Sequence, residues 1–461
     1  MYDIIIIGSG PGGYVAGIRA AQLGFKCAIV EKAELGGVCL NWGCIPTKAL
    51  LKSVQALHYA SNSADYGFET GDVRPNLEAI VSRSRAVADS MSRGVDFLLR
   101  KNKVEVVKGT GKILEKGKVE VLSDDGEKRL IEAGHIIIAT GSRPNSLPFA
   151  PVDGKKIISY RHALVPESLP SSMAIIGSGA IGSEFAFFYR SLGVDVYLIE
   201  YLDSIVPLED DDVSAQLGRS FRKMGMKVFT SANVKSVDTS GDLCKIVTET
   251  KKGEQIIEAE VVLSAVGVLP NTENLGLEEL GVEIEMKRIK VDEYYRTNVE
   301  GIYAIGDVIP SPALAHIASA EAICCIENIA GLHPKPVNYE NFPGCTYTSP
   351  EIASVGLTER AVKDLGIEYR VGKFPFTASG KATAAGERDG FVKLIVDSGN
   401  DQILGAHMVG ANVTEMVSGL VLARNLGVKA KDIIASIHPH PTMSEAIMEA
   451  AAAAHSEAIH I

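Results

Sequence analysis

The sequence is short of cysteine, has a single tryptophan and carries no surplus of positive charge. Seven cysteines in 461 residues are an odd number, far below the density of a disulfide-stapled scaffold, and predict a reducing compartment. No C-x-x-C occurs, so the commonest pairing of zinc ligands is missing. Lys and Arg total 46 against 57 Asp and Glu, a net charge of −11, whereas a nucleic-acid partner needs a basic surface. Long apolar runs are absent too. The first, in "MYDIIIIGSG", follows no basic segment and stops at Gly8, too short for a membrane span or a signal peptide. We expect a cytoplasmic protein with no nucleic-acid and no membrane partner. What remains is ordinary globular composition, 46% apolar and 22% charged, in a chain long enough for about three domains.

An internal repeat organises that length. In "DIIIIGSGPGGYVAGIRAAQLGFKCAIVE" four isoleucines read as a strand buried on both faces, and Gly8, Gly10 and Gly13 give G-x-G-x-x-G. A helical pattern then ends at Gly24, and a second strand closes on Glu31. "MAIIGSGAIGSEFAFFYRSLGVDVYLIE" repeats this with Gly177, Gly179, Gly182 and Glu200. In both copies the acid lies 18 residues beyond the last motif glycine, and the copies are 169 residues apart. One such motif is a weak signal; two, each between a strand and a helix, are a strong one. The glycines let the backbone approach a pyrophosphate at a helix N-terminus, and the acid accepts a hydrogen bond from a ribose hydroxyl. The pattern predicts two dinucleotide sites. "YLDSIVPLEDDD" offers no Arg or Lys beside Glu200 to meet a 2′-phosphate, which favours NAD over NADP there.

Two more strand ends read as return legs of these folds, "HIIIATGSRP" with Thr140 and Gly141, and "VVLSAVGVLPN" with Gly267. "GIYAIGDV" brings Asp307 to the carboxyl end of a strand, where α/β sheets bind ligands. From residue 338 onward "KLIVDSGNDQILGAHMVG" reads as two strands about a polar turn, followed by helical stretches. The fold class expected is α/β: two Rossmann-like dinucleotide-binding folds and a C-terminal α+β domain. Residues 1–142 and 269–337 form the first part, 143–268 the second and 338–461 the third.

"GGVCLNWGCIPTK" places Cys39 and Cys44 five positions apart. A structural disulfide across so short a loop stabilises little. A metal site lacks further ligands, the nearest downstream histidine being His58. Buried filler suits a Gly-rich, Pro-punctuated loop poorly. A redox couple has positive support: Pro46 can sit in the first turn of a helix through "TKALLKSVQALHYA", leaving Cys44 near its N-terminus, where partial positive charge favours a thiolate. Lys48 adds a cation one turn on, and Cys39, lacking those aids, is expected to be the more exposed sulfur. The adjacent Cys324 and Cys325 in a helical run, with Cys27, Cys244 and Cys345, read as core.

Joined to two dinucleotide motifs and to "HPHPTMSE", that stretch resembles the flavoprotein pyridine nucleotide-disulfide oxidoreductases, and within them the dihydrolipoamide dehydrogenase branch. The resemblance runs over essentially the whole chain. Trp42 stands where the family usually has a small aliphatic residue, and Thr47 where it usually has Ser. The resemblance implies a tightly bound FAD, one per subunit, on Gly8, Gly10, Gly13 and Glu31, with Asp307 at its ribityl or diphosphate region. NAD would lie on Gly177, Gly179, Gly182 and Glu200. Cys39 would be the interchange thiol, and Cys44 would lie against the flavin. His440 would be the base and Glu445 its orienting acid, reaching the site across a homodimer interface formed by the C-terminal domain. Lys48 would pair with Glu184 near the flavin. His316 would fall beside the flavin or in the core, and for His438 with His440 the alternatives are a metal site or a solvated loop. The last stretch reads as a helix started by Pro441, amphipathic, with a tail.

The implied reaction oxidises dihydrolipoyl groups, borne by a protein of a 2-oxo-acid dehydrogenase or glycine-cleavage complex, and reduces NAD⁺. One rival is an NAD(P)H-driven reductase of glutathione or another small disulfide; the arginines glutathione reductases carry after the second nucleotide strand are missing. Mercuric reductases have an extra C-terminal cysteine pair, absent here. A non-catalytic assembly component is the third alternative, and intact Cys39, Cys44, His440 and Glu445 weigh against it.

Overall fold

The computed structural model describes residues 1–461. The four isoleucines make the strand Tyr2–Ile7, in which all but Asp3 are buried. It is flanked in parallel by Cys27–Glu31 and Lys128–Ile138, with Ile5 beside Ala28 on one side and Ile136 on the other. Glu105–Lys108 extends one edge in parallel. Ile302–Ala304 pairs in parallel with Ile136–Ile138, and an antiparallel meander of Thr110–Glu115 and Lys118–Leu122 completes the sheet. The helices α1 (Pro11–Gln22), α2 (Gly37–Trp42), α3 (Cys44–Ser61) and α4 (Leu77–Lys101) follow in chain order. α4 starts at Asn76, whose side chain accepts from Ala79 N at 3.0 Å, a normal N-cap. α1 turns glycines and alanines toward the helix Ala315–Ile329, so closely that a Cβ on Gly12 would sit 3.4 Å from the Ala318 carbonyl. These parts, α3 only as far as Leu50, belong to one compact unit, Met1–Leu50 with Asn76–Asn145 and Gly267–Val337.

The other unit, Leu51–Pro75 with Ser146–Val266 and Asn338–Ile461, holds the second copy of the repeat. Its parallel sheet runs in the order Lys227–Phe229, Asp195–Ile199, Ser172–Ile176, Val261–Ser264, Ile157–Ile158. The helix Ala180–Ser191 follows the glycine turn, and a three-stranded antiparallel sheet, Asn233–Asp238, Cys244–Thr250 and Gly253–Ala259, is inserted after it. The C-terminal stretch is a five-stranded antiparallel sheet with helices. The two strands read around the polar turn are Phe391–Asp397 and Ile403–Gly410. The last helix, Glu445–Ala454, lies directly on the strand Tyr369–Pro375, because Gly372 has no Cβ: one would sit 1.8 Å from the Ala450 carbonyl. That helix corrects the amphipathic reading. It starts at Glu445, not at Pro441; beside the inner face of Ala446, Ile447, Ala450, Ala451 and Ala454, Glu449 and Ala452 are buried too, and none of its residues is exposed. No helix of the chain is long and apolar enough to cross a membrane.

Candidate active site

The first glycine turn is built by close backbone approach. Gly8 has φ +104°, and a Cβ there would lie 2.3 Å from the Ala139 carbonyl oxygen; one on Gly13 would lie 1.9 Å from that of Gly8. A Cβ on Gly10 would meet nothing within 4 Å, so the turn is open on that side at the start of α1. Glu31 is tied to this turn: Oε2 accepts from Ser9 N at 2.8 Å and Ser9 Oγ at 2.6 Å, and Oε1 from Ala33 N at 2.9 Å. At Asp307 the strand Ile302–Ala304 has already ended, and a short 3₁₀ turn carries the carboxylate, which accepts from Ser142 Oγ at 2.5 Å. The turn is braced by Glu321, fully buried, which accepts from Gly306 N at 2.6 Å. Thr140, Gly141 and Gly267 stand where Ser142–Pro144 pairs with Val268–Pro270. The Thr140 hydroxyl donates to the Asn271 carbonyl at 2.6 Å, holding that crossing together.

The redox stretch is more helical than its glycines imply. Gly36 and Gly37, at φ +92° and +61°, swing the chain so close to the first turn that a Cβ on Gly37 would meet Gly10 Cα at 2.7 Å. α2 then carries Cys39, Gly43 breaks the helix, and α3 begins at Cys44 with Pro46 in its first turn. The Thr47 hydroxyl donates to the Gly43 carbonyl at 2.6 Å, and its backbone N–H to the same oxygen at 3.1 Å. A Ser there has the same hydroxyl, so that departure from the family is chemically silent. Burial reverses the expectation for the two sulfurs: Cys44 is exposed, whereas Cys39 is half-buried and packs on the core of its unit. The reason is that Cys39 lies on the inward face of α2, while the first residue of α3 projects from the helix end. The Cys39 thiol is pushed well above the ordinary thiol range, first by its hydrogen bond to Cys44 and then by burial, with Lys48 opposing. Cys39 therefore needs a proton acceptor before it can act as a thiolate.

In the second copy, Gly177 has φ +98°, and Gly182 would place a Cβ 2.0 Å from the Gly177 carbonyl oxygen. Glu200 accepts from Ser178 N at 2.9 Å, Ser178 Oγ at 2.6 Å and Leu202 N at 2.9 Å. Glu184 is buried on the following helix and accepts from Tyr347 N at 3.0 Å. Near the C-terminus, Glu445 Oε1 meets His440 Nδ1 at 2.9 Å while Oε2 accepts from Thr442 N at 2.7 Å. Burial raises the Glu445 carboxyl, but the Thr442 N–H and the His440 ring outweigh it and hold it below the usual carboxylate range. An ionised carboxylate only accepts, so Nδ1 of neutral His440 carries the proton and Nε2 is the free base. The His440 side chain is 79% exposed. His438 faces the Ile433 carbonyl at 3.3 Å instead. His316 is exposed, so the core alternative for it does not hold. Cys27, Cys244, Cys324 and Cys325 are buried as read; Cys345 is only half-buried.

Sequence reading missed several residues of this region. Ser9 and Ser178 occupy the same position of both glycine turns, so the repeat itself carried that signal. Asn41, buried and donating to the Leu35 and Gly37 carbonyls at 2.9 and 3.0 Å, had no such signal.

The model of the pyridine nucleotide-disulphide oxidoreductases matches residues 2–322, and that of their dimerisation domain matches residues 342–451. A dihydrolipoyl dehydrogenase of Rhizobium etli is 48% identical over 97% of this chain and 97% of its own length. Another, from Zymomonas mobilis, is 46% identical over 100% of this chain and 99% of its own. The chain belongs to the pyridine nucleotide-disulphide oxidoreductases. The crystal structure of LpdA from Mycobacterium tuberculosis superimposes with a TM-score of 0.90 at 27% identity, covering 97% of this chain and 99% of that one. This oxidoreductase is thus an α/β flavoenzyme with FAD and NAD(H) as cofactors and a C-terminal homodimerisation domain. Its residues fit those groups: both turns leave the middle glycine, Gly10 or Gly179, facing open space, the place where a pyrophosphate must approach the backbone. Beside each, a carboxylate already fixed by Ser and backbone donors stands where a ribose hydroxyl can reach it.

Proposed function

We propose that the chain oxidises dihydrolipoyl groups and reduces NAD⁺ to NADH, with Cys39 and Cys44 as its working disulfide. The observation that carries this reading is the placement of the pair: Cys39 and Cys44 within hydrogen-bonding reach, on a segment folded hard against the first dinucleotide turn at Gly10. In the oxidised enzyme a dihydrolipoyl thiol gives its proton to Nε2 of His440 of the partner subunit, and the thiolate attacks the sulfur of Cys39. A mixed disulfide forms as the S–S bond breaks, and Cys44 leaves as a thiolate at the start of α3, beside the cation of Lys48. The second dihydrolipoyl thiol then displaces Cys39, its proton passing to the departing Cys39 sulfur; a lipoyl disulfide is released, and the enzyme pair, now the Cys39 thiol and the Cys44 thiolate, has gained two electrons in all. Glu445 keeps the His440 ring in the tautomer whose Nε2 accepts. Bound FAD supplies the two-electron passage from this dithiol to NAD⁺.

The residues assigned to the cofactors are Gly8, Gly10, Gly13, Glu31 and Asp307 for FAD, Gly177, Gly179, Gly182 and Glu200 for NAD, and Lys48, Thr140, Gly141 and Gly267 beside them. Glu184, buried at the start of the second nucleotide helix, is assigned to the catalytic region with Lys48. We divide the chain into a flavin domain (1–142 with 269–337), a nicotinamide domain (143–268) and an interface domain (338–461). We place the enzyme in the cytoplasm, working on a lipoyl-bearing protein of a 2-oxo-acid dehydrogenase or glycine-cleavage complex. The deciding assay follows NADH formation from dihydrolipoamide and NAD⁺, run beside NADPH with oxidised glutathione. Fast NADH formation without glutathione turnover is expected. Cys44→Ser should abolish it with FAD still bound, and substantial residual turnover in that variant defeats the assignment.

A further inference from the structure

Helix α4 reaches the redox segment with four side-chain donors. Arg83 Nη1 donates to the Ala49 carbonyl at 2.7 Å, Ser84 Oγ to Pro46 at 2.9 Å, Arg85 Nη1 to Asn41 at 2.6 Å and Ser92 Oγ to Leu35 at 2.9 Å. The acceptors bracket both sulfurs: Leu35 lies before Cys39, Asn41 between the cysteines, and Pro46 and Ala49 after Cys44. The carbonyl of Asn41 belongs to the last turn of α2 and has no partner within that helix, so the guanidinium both satisfies an orphan acceptor and places a cation at a helix C-terminus. The same guanidinium stacks 4.5 Å above the ring of Trp42, the chain's only tryptophan, whose Nε1 points to Glu34 Oε1 at 3.4 Å. Between Trp42 and Cys44 stands one non-helical residue, Gly43, at φ −141° and ψ −113°.

We infer that Arg85 and Trp42 are positioning residues that clamp the end of α2 and thereby set the balance between dithiol and disulfide at Cys39 and Cys44. The inference rests on the reading of those two cysteines as a redox pair. The physical reason is effective concentration. A disulfide forms in proportion to the time two thiols spend at bonding geometry, and a glycine joint between two short helices would otherwise let them part. Once the bond exists it holds the sulfurs by itself, so the clamp favours the disulfide by ordering the dithiol. Without it the pair becomes harder to oxidise.

The test equilibrates the purified holoenzyme with dithiothreitol redox buffers. In that exchange Cys39 and Cys44 lose two protons and two electrons as their S–S bond forms, and the bond of oxidised dithiothreitol breaks to give its dithiol. After alkylation of free thiols, tryptic cleavage behind Lys32 and Lys48 isolates both sulfurs in one peptide, apart from the other five cysteines. Trp42→Val and Arg85→Met are each expected to lower the equilibrium constant for disulfide formation about tenfold, which is about 30 mV. Trp42→Phe keeps a ring beneath the guanidinium and should stay within about threefold of the parent enzyme. Flavin content separates this effect from general unfolding, and if Arg85→Met loses its flavin the Val and Phe pair still decides. Titrations of Trp42→Val that match the parent, or a Phe variant displaced as far as the Val variant, overturn the clamp. A parent enzyme whose peptide never passes between dithiol and disulfide overturns the redox pair instead, a different outcome of the same experiment.

Discussion

Ser9 and Ser178 each give a backbone N–H and a hydroxyl to the acid 22 residues on, at 2.8 and 2.6 Å in the first copy and 2.9 and 2.6 Å in the second. The next contact repeats as well. Gly36 N donates to the Ser9 carbonyl at 3.1 Å, and Val206 N to the Ser178 carbonyl at 3.2 Å. The copies part at that residue. After Gly36 the chain folds back on Gly10 and presents the two cysteines; after Val206 it runs to Asp210, which N-caps the helix Asp211–Lys223. Asp210 is anchored by Lys393, whose side chain is 2% exposed and whose Nζ lies 2.7 Å from Asp210, 3.0 Å from Asp212 and 2.7 Å from Glu359. The anion cradle is thus kept while its exit loop is put to different use, one serving a redox segment and the other a buried ionic anchor.

Removing the anchor should produce the largest effect. Lys393→Met leaves the Asp210 carboxylate buried without its cation, a situation that costs about 3–5 kcal/mol. Hydrogen exchange should show the helix Asp211–Lys223 opening, with α1 of the first copy unchanged; equal protection in both variant helices would refute the anchor. The same cluster predicts a pH dependence. Hydrogen bonds from Lys363 and then Lys393 hold Glu359 down at about 2. A depressed carboxyl stabilises the fold fully above its ordinary range near 4.5, and that contribution is lost as the pH falls toward about 2. Exchange protection of Asp211–Lys223 should therefore decline across that window, and less so in Lys393→Met, whose Glu359 is less depressed.

Next come the glycines on which the cradle depends. Gly13→Ala and Gly182→Ala each drive a Cβ to within 2.0 Å of a backbone carbonyl oxygen, and a loss of about 3 kcal/mol is expected for either. Gly10→Ala and Gly179→Ala meet nothing within 4 Å and should leave the fold intact. The first should weaken flavin retention and the second should raise the KM for NAD⁺. Reversed assignments in flavin content and KM would show the copies to be exchanged.

Both glycine turns are legible in the sequence alone, because a pyrophosphate cradle imposes fixed glycine spacings and a fixed distance to its acid. Cys44 at a helix start is legible for a similar reason, Pro46 being a local signal. The relative exposure of the sulfurs is not, since it depends on which face of α2 meets the core. Arg83, Ser84, Arg85 and Ser92 are invisible there as well. They lie 34 to 57 residues from the carbonyls they serve, on a helix whose own pattern says only that it is amphipathic. Lys393 inside an apolar strand reads locally as an edge or an error, and only Asp210 and Glu359, brought in from elsewhere in the chain, explain it.

The smallest effects should come from exchanging the two exit residues. Gly36 at φ +92° would place a Cβ 2.6 Å from the Leu40 side chain, so Gly36→Ala combines a left-handed backbone with a contact that must yield, at about 2 kcal/mol. Val206 already occupies the left-handed region, at φ +42°, where a β-branched residue is strained by about 1–3 kcal/mol. The residue is 4% exposed, and burial of a valine returns about 1.5–3 kcal/mol. Val206→Gly relieves the strain, forfeits the burial and adds about 0.5–1 kcal/mol of backbone entropy, so the terms nearly cancel. A net loss of about 1 kcal/mol or less is expected, with the KM for NAD⁺ unchanged because the N–H that meets Ser178 stays in place. A markedly raised KM would mean that the valine side chain, and not its backbone, fixes the second cradle.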